Sequence, residues 1–157
     1  MKTFDAWRRF SHLSGSDRTT VLEAAVYLCA TWMGLRVCGF RRWKKIVEQS
    51  LSPVPQDALP DPARLPEAVN VSRLLSAAAR HLFLQTNCLQ QALTLYFLLR
   101  RRGLAAELHF GARKQSALLE AHAWVTYLHV PLNEDQGQHR HFFPFEGANR
   151  LMETLPD

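Results

Sequence analysis

Asn87-Cys88-Leu89-Gln90-Gln91-Ala92-Leu93-Thr94-Leu95-Tyr96-Phe97-Leu98-Leu99-Arg100-Arg101-Arg102-Gly103 is the stretch whose reading decides the fold. Thr86 and Asn87 are residues of the N-cap type. After them comes a run with almost no polar face, and a helix apolar nearly all round is a buried helix. Three arginines fall in its last turn, where cations complement the helix dipole, and Gly103 is a stop. The run is too short for a bilayer, so it is expected to be the central helix of a soluble core. A cysteine in its first turn is unusual as packing alone. Backbone N–H groups there point at the sulfur and the dipole favours thiolate, which makes Cys88 a candidate nucleophile.

The bounds around this helix are ordinary. At 157 residues, 47% apolar and 21% charged, the chain is expected to be one domain with a real core. Cys29, Cys38 and Cys88 are an odd number without a CxxC pair, and residues 1–16 do not read as a signal peptide. A reducing cytoplasm with free thiols is expected. The net charge of +5 lies wholly in the first third: residues 1–50 hold nine Lys/Arg against four Asp/Glu. No nucleic-acid motif accompanies it, so nucleic acid is not an expected partner. A solvated or protein-docking face is the reading.

Outward from the central helix, Phe4, Trp7, Phe10 and Leu13 predict a short amphipathic helix. Ser14 to Asp17 read as a capped loop. Thr20, with Glu23 at the capping-box position, is expected to start a helix over 21–37. That segment is apolar enough to raise a membrane question, but Glu23, Arg36, Thr31 and its glycines favour a buried core helix without firm membrane association. Residues 41–49 predict a basic amphipathic turn or two, with Trp43, Ile46 and Val47 on one side. The prolines of 52–66 mark an extended connector. Residues 66–82 predict a helix with Val69, Leu74, Leu75, Ala78 and Leu82 as its stripe.

Beyond Gly103 the period changes to two. Ala106, Leu108 and Phe110 predict one strand, a polar loop is expected within 111–120, and 121–128 predict a second strand with His122, Trp124, Thr126 and Leu128 on one face. Residues 131–138 read as a turn and 139–145 as a third strand, at an edge because of Pro144. Helices first and antiparallel strands afterwards make an α+β fold. The expected organisation is one domain over 1–157, with a helical front over 1–83 and a catalytic core over 84–147.

A cysteine at a helix start and a histidine on a nearby strand are parts of a thiol nucleophile–base pair. The strand after the hairpin can bring His122 back over the start of the Cys88 helix. The chain then returns through Asn133, Glu134 and Asp135, any of which can reach the far ring nitrogen and orient it. The Cys88 amide with a neighbour, such as the Asn87 side chain or an upstream glutamine, can form an oxyanion hole. Trp124 is placed with Asn87 in the oxyanion and substrate-binding surface. His139 and His141 would share a strand face, but no further ligands stand at metal-site spacing; no metal and no cofactor are expected.

The string Cys88-Leu89-x-x-Ala92-Leu93-x-Leu95-x-x-Leu98-Leu99-Arg100-Arg101-Arg102-Gly103, followed by Ala121-His122-Ala123-Trp124-Val125, resembles the transglutaminase-like cysteine peptidases of lasso-peptide biosynthesis, the stand-alone leader peptidases. Leu22-Glu23-Ala24 and Phe40-Arg41-Arg42 resemble that family's helical front. The resemblance implies a papain/transglutaminase-like fold and a cysteine protease that removes the leader from a ribosomally made precursor peptide through a thioester acyl-enzyme. It implies a Cys-His-Asp triad. Cys88 and His122 match it; the family's aspartate falls on Glu134 by counting, and Asp135 carries the right side chain one position later. Thr126 stands where the family often has glutamate. The implied partners are the precursor, a separate leader-recognition protein that this chain is too short to contain, and an ATP-dependent macrolactam synthetase (cyclase). The basic first third is then a docking face. Two other functions fit the same residues: acyl transfer to an amine, as in transglutaminases, and a non-catalytic scaffold.

Overall fold

The segment that opens the sequence argument is a helix here labelled α4, Cys88–Arg101. The structure is a computed structural model and describes residues 12–51, 60–82, 84–115, 118–134 and 143–144. Asn87 starts α4 with a reciprocal capping box: its Oδ1 accepts from the Gln90 amide at 2.9 Å, and Gln90 Oε1 accepts from the Asn87 amide at 3.0 Å. Such a cap is worth about 1 kcal/mol. At the other end Gly103 adopts φ 71°. Its amide donates to the Arg100 carbonyl, and the Leu104 amide donates to that of Leu99. This Schellman closure needs a left-handed residue, which glycine supplies without strain.

Among the described residues, three other helices and a sheet surround α4. They are α1 (Gly15–Val37), α2 (Gly39–Ser50) and α3 (Leu65–His81), with a 3-10 turn, Pro62–Arg64, before α3. Ala92, Leu95, Leu98 and Leu99 share the main core with Ala24 and Leu28 of α1 and with Ala68, Val71, Leu75 and Ala78 of α3. Leu93 and Phe97 meet Val47, Phe40 and Trp43 of α2. Thr94 and Thr31 are both fully buried, and each satisfies the other across a 3.2 Å hydrogen bond.

The arginines after Leu99 do more than face the helix dipole. Arg102 reaches Glu23 Oε2 on α1 at 2.7 Å and also donates to Thr20 Oγ1 and the Leu98 carbonyl. Arg101 donates to the Tyr27 hydroxyl. Glu23 therefore ties α1 to the end of α4 and does not serve a capping box at Thr20. The helix begins earlier than expected because Ser14 caps it, accepting from the Asp17 amide at 3.1 Å, with Asp17 in the first turn where an acid suits the dipole.

Burial of α1 also departs from expectation. Only one face, Ala24, Leu28, Thr31 and Gly34, is buried. Leu22, Val26, Met33 and Val37 stand more than half exposed, and Cys29 is exposed between them. By length and composition the helix could cross a membrane, yet its opposite face is committed to the protein core. The first expected helix lies mostly on residues 4–11, outside the described residues.

Gly34 lets α2 fold against α1. A Cβ at this position would sit 2.2 Å from Trp43 ring carbons. Alanine usually stabilises a helix by about 1 kcal/mol relative to glycine. Here Gly34→Ala is expected to destabilise by about 2 kcal/mol, because a rigid indole must move in a packed site. Urea unfolding measures this, with Gly15→Ala as a control at a position that has open space.

In α2, Trp43 and Val47 turn inward, but Ile46 is half exposed. In α3, Val69 likewise faces outward, and Ala68 and Val71 take its place in the core. The phase of each helix follows its neighbours, not its most apolar residues. Of the connector, residues 52–59 lie outside the described residues.

The sheet has the order β3-β2-β1-β4, all antiparallel. Its strands are β1 (Glu107–Gln115), β2 (Leu118–Tyr127), β3 (Val130–Pro131) and β4 (Phe143–Pro144). The polar loop expected within 111–120 is instead a continuation of the hairpin, paired as far as Gln115 with Leu118. Its charges fit a strand pair because Arg113 faces Glu120, at 2.7 Å. Tyr127 pairs with Val130 across Leu128 and His129, both at positive φ, the sense that matches strand twist. Pro144 lies on an edge strand, and β4 pairs with β1. The fold is α+β, with helices on one face of a small antiparallel sheet.

Candidate active site

Alternation on β2 sorts its side chains. Ala123, Val125 and Tyr127 join the helical core. His122, Trp124 and Thr126 therefore take the other face. On β1, Leu108 and Phe110 pack with the core, so His109 shares the face of His122.

Two contacts tie the end of β2 and the end of α4 to the segment before α3: Arg64 donates to the Arg102 carbonyl at 2.9 Å, and the Tyr127 hydroxyl donates to the Asp61 carbonyl at 3.0 Å. Cys88 is half-buried in the first turn of α4.

His122 has its carboxylate. Glu134 Oε1 lies 2.7 Å from His122 Nε2, and the Glu134 side chain is fully buried while that of His122 is 18% exposed. The turn that carries Glu134 is held from two sides. Ser72 of α3 donates to the Leu132 carbonyl at 2.6 Å, and the Val125 amide donates to Asn133 Oδ1 at 2.8 Å. Of the three residues the sequence left open, Asn133 is thus spent on the strand edge, Glu134 meets the imidazole, and Asp135 lies outside the described residues. With Nε2 turned to Glu134, Nδ1 is the ring nitrogen that would take a thiol proton.

Asn87 is exposed, but its Oδ1 and its amide are both engaged in the capping box. Capping also uses the Gln90 amide, and the Gln91 amide bonds to the Asn87 carbonyl. Helix geometry leaves the amides of Cys88 and Leu89 without an intrahelical acceptor, aimed at whatever sits above the thiol. Trp124 is only 6% exposed, and it stacks on His122 at 6.0 Å between centroids with planes 18° apart. His139 and His141 lie outside the described residues.

A further histidine, His109, was not singled out in the sequence. Its ring stacks on Trp124 at 5.7 Å and its Nε2 lies 2.8 Å from Thr126 Oγ1. The signal was present in the alternation of Leu108, His109 and Phe110, but the hairpin register was needed to set His109 opposite Trp124.

A half-buried thiol at a capped helix start, together with an imidazole in contact with a buried carboxylate, supplies the components of thiol-based acyl chemistry. No curated protein and no solved structure matches the chain. A family model does: it is that of the transglutaminase-like superfamily, and it covers residues 33–146, which include Cys88, His122 and Glu134. With well over half its length matched, the chain belongs to the transglutaminase-like superfamily, which includes cysteine peptidases and acyltransferases.

Proposed function

We propose that this protein is a cysteine peptidase that cleaves the leader from a ribosomally made lasso-peptide precursor, with Cys88 as nucleophile, His122 as base and Glu134 as the group that orients it. The observation that supports the catalytic part is the 2.7 Å contact between His122 Nε2 and the buried Glu134 carboxylate. The narrower substrate is supported by the resemblance of the Cys88-to-Gly103 string and of Ala121-His122-Ala123-Trp124-Val125 to the leader peptidases.

In this reading the thiol and the imidazole work as a pair at the start of α4. His122 Nδ1 takes the thiol proton, and Glu134 stabilises the imidazolium that forms. The thiolate attacks the scissile carbonyl carbon. The amides of Cys88 and Leu89 and the Asn87 side-chain NH2 would hold the oxyanion. On collapse the C–N bond breaks, and the imidazolium protonates the departing amine of the core peptide. Water, deprotonated by His122, then opens the thioester and frees the leader as a carboxylate. The partners are the precursor peptide, a separate leader-recognition protein and the ATP-dependent macrolactam synthetase that would use the freed amine. The setting is cytoplasmic, which suits a catalytic free thiol.

Mass spectrometry of a precursor incubated with this protein, a leader-binding partner and a primary amine tests the reading. Free leader acid and an unmodified core peptide are expected. A leader–amine adduct would replace hydrolysis by acyl transfer. An intact precursor would sink both and leave the scaffold.

A further inference from the structure

The reaction proposed above leaves one built feature of the sheet unused. On the outer face, β2 sets His122, Trp124 and Thr126 in file. His109, opposite Trp124 in the hairpin register, leans toward Thr126, with Nε2 2.8 Å from its hydroxyl. It therefore covers the side of the indole that faces away from His122. The three rings form a stack. His109 and Trp124 planes are 20° apart, Trp124 and His122 planes 18° apart, with centroids 5.7 and 6.0 Å apart. Both spacings fall in the range where aromatic faces attract.

We infer that His109 is a positioning residue: braced by Thr126, it clamps Trp124 from behind and so fixes the plane in which the His122 ring lies between Glu134 and Cys88. This rests on the cysteine–histidine reading above. A His122 ring free to rotate would lose either the carboxylate at Nε2 or the thiol at Nδ1. The indole removes that freedom only if it cannot itself recede, and His109 occupies the space into which it would recede. Burial holds the His109 pKa below the usual histidine value; Glu107 opposes this and His129 adds to it. A neutral ring suits the task. It stacks on the indole without setting a second positive charge near the imidazolium that forms at His122.

The test is the rate of Cys88 alkylation by iodoacetamide in the full chain between pH 5 and 8, read at the Cys88 peptide by mass spectrometry. It needs no precursor. The wild-type protein is expected to keep a fast acidic limb from the thiolate–imidazolium pair, and His122→Ala to remove it. His109→Ala is expected to slow alkylation at pH 6 about fivefold, the size of one aromatic contact. His109→Phe keeps a ring against the indole but gives up the Thr126 contact, and is expected to fall between His109→Ala and wild type. Circular dichroism checks that each variant is folded. A wild-type profile in His109→Ala, or a His109→Phe variant as slow as His109→Ala, would overturn the clamp while leaving the cysteine–histidine pair standing. A wild-type protein with an ordinary thiol profile, unchanged by His122→Ala, would overturn the pair and the clamp with it.

Discussion

Cys88→Ala is expected to abolish precursor cleavage, by about 10^4-fold or more in kcat, with little change in stability. The first effect follows from the role: without the sulfur no acyl-enzyme forms, and the remaining groups have nothing to activate. The second follows from position. Cys88 is only half-buried, lies outside both hydrophobic clusters, and stands where alanine is an excellent helix residue. The unfolding midpoint and the cleavage rate are therefore expected to separate. A variant that still cuts would assign the cysteine to packing and return the protein to the scaffold reading. Cys29→Ser is the matched comparison, since Cys29 is exposed on the far-reaching face of α1 and is expected to leave cleavage untouched.

Glu134→Gln is expected to lower kcat by about 10^3-fold while KM stays near the wild-type value. The amide fills the same volume but loses the charge that stabilises the imidazolium, and it offers an N–H where the ring needs an acceptor. The loss falls on the transition state, because the substrate does not touch this buried side chain. Two neighbours make the prediction sharp. Asn133→Ala is expected to act on stability, by about 1–2 kcal/mol, because it orphans the Val125 amide. Asp135→Asn is expected to leave kcat within a few-fold of wild type. If Asp135→Asn were the damaging change and Glu134→Gln the mild one, the orienting role would pass to Asp135. Steady-state kinetics on the three variants, with urea unfolding alongside, decides among them.

Reading the chain in one dimension went furthest where chemistry is local. The α4 boundaries were legible because a cap is a matter of three or four residues: Asn87 and Gln90 close on each other, and Gly103 supplies the left-handed turn. The β-period after Gly103 was legible for the same reason. The start of α1 was misjudged because two capping signals, Ser14 and Thr20, stand within two turns of each other. What chose between them was remote: Glu23 is occupied by Arg102, far along the chain. Inward and outward faces were misjudged at Leu22, Val26, Ile46 and Val69 because hydropathy says that a residue would gain from burial, not that a neighbour is there to bury it. The extended β1–β2 hairpin was missed because Arg113 and Glu120 look like loop residues singly and become a strand pair only in register.

By itself, then, the sequence determined the central helix with its cysteine and the change from helical to strand period. These depend on contacts between residues a few positions apart, or on a pattern repeated along one element. Tertiary structure alone showed that Glu134 contacts the histidine and that His109 stacks on the tryptophan. Those contacts turn on which atom of a short turn points at which ring. That direction is set by Ser72 of α3 holding the Leu132 carbonyl, by the Val125 amide holding Asn133, and by the register of a hairpin. All three act between residues that the chain separates and only packing brings together.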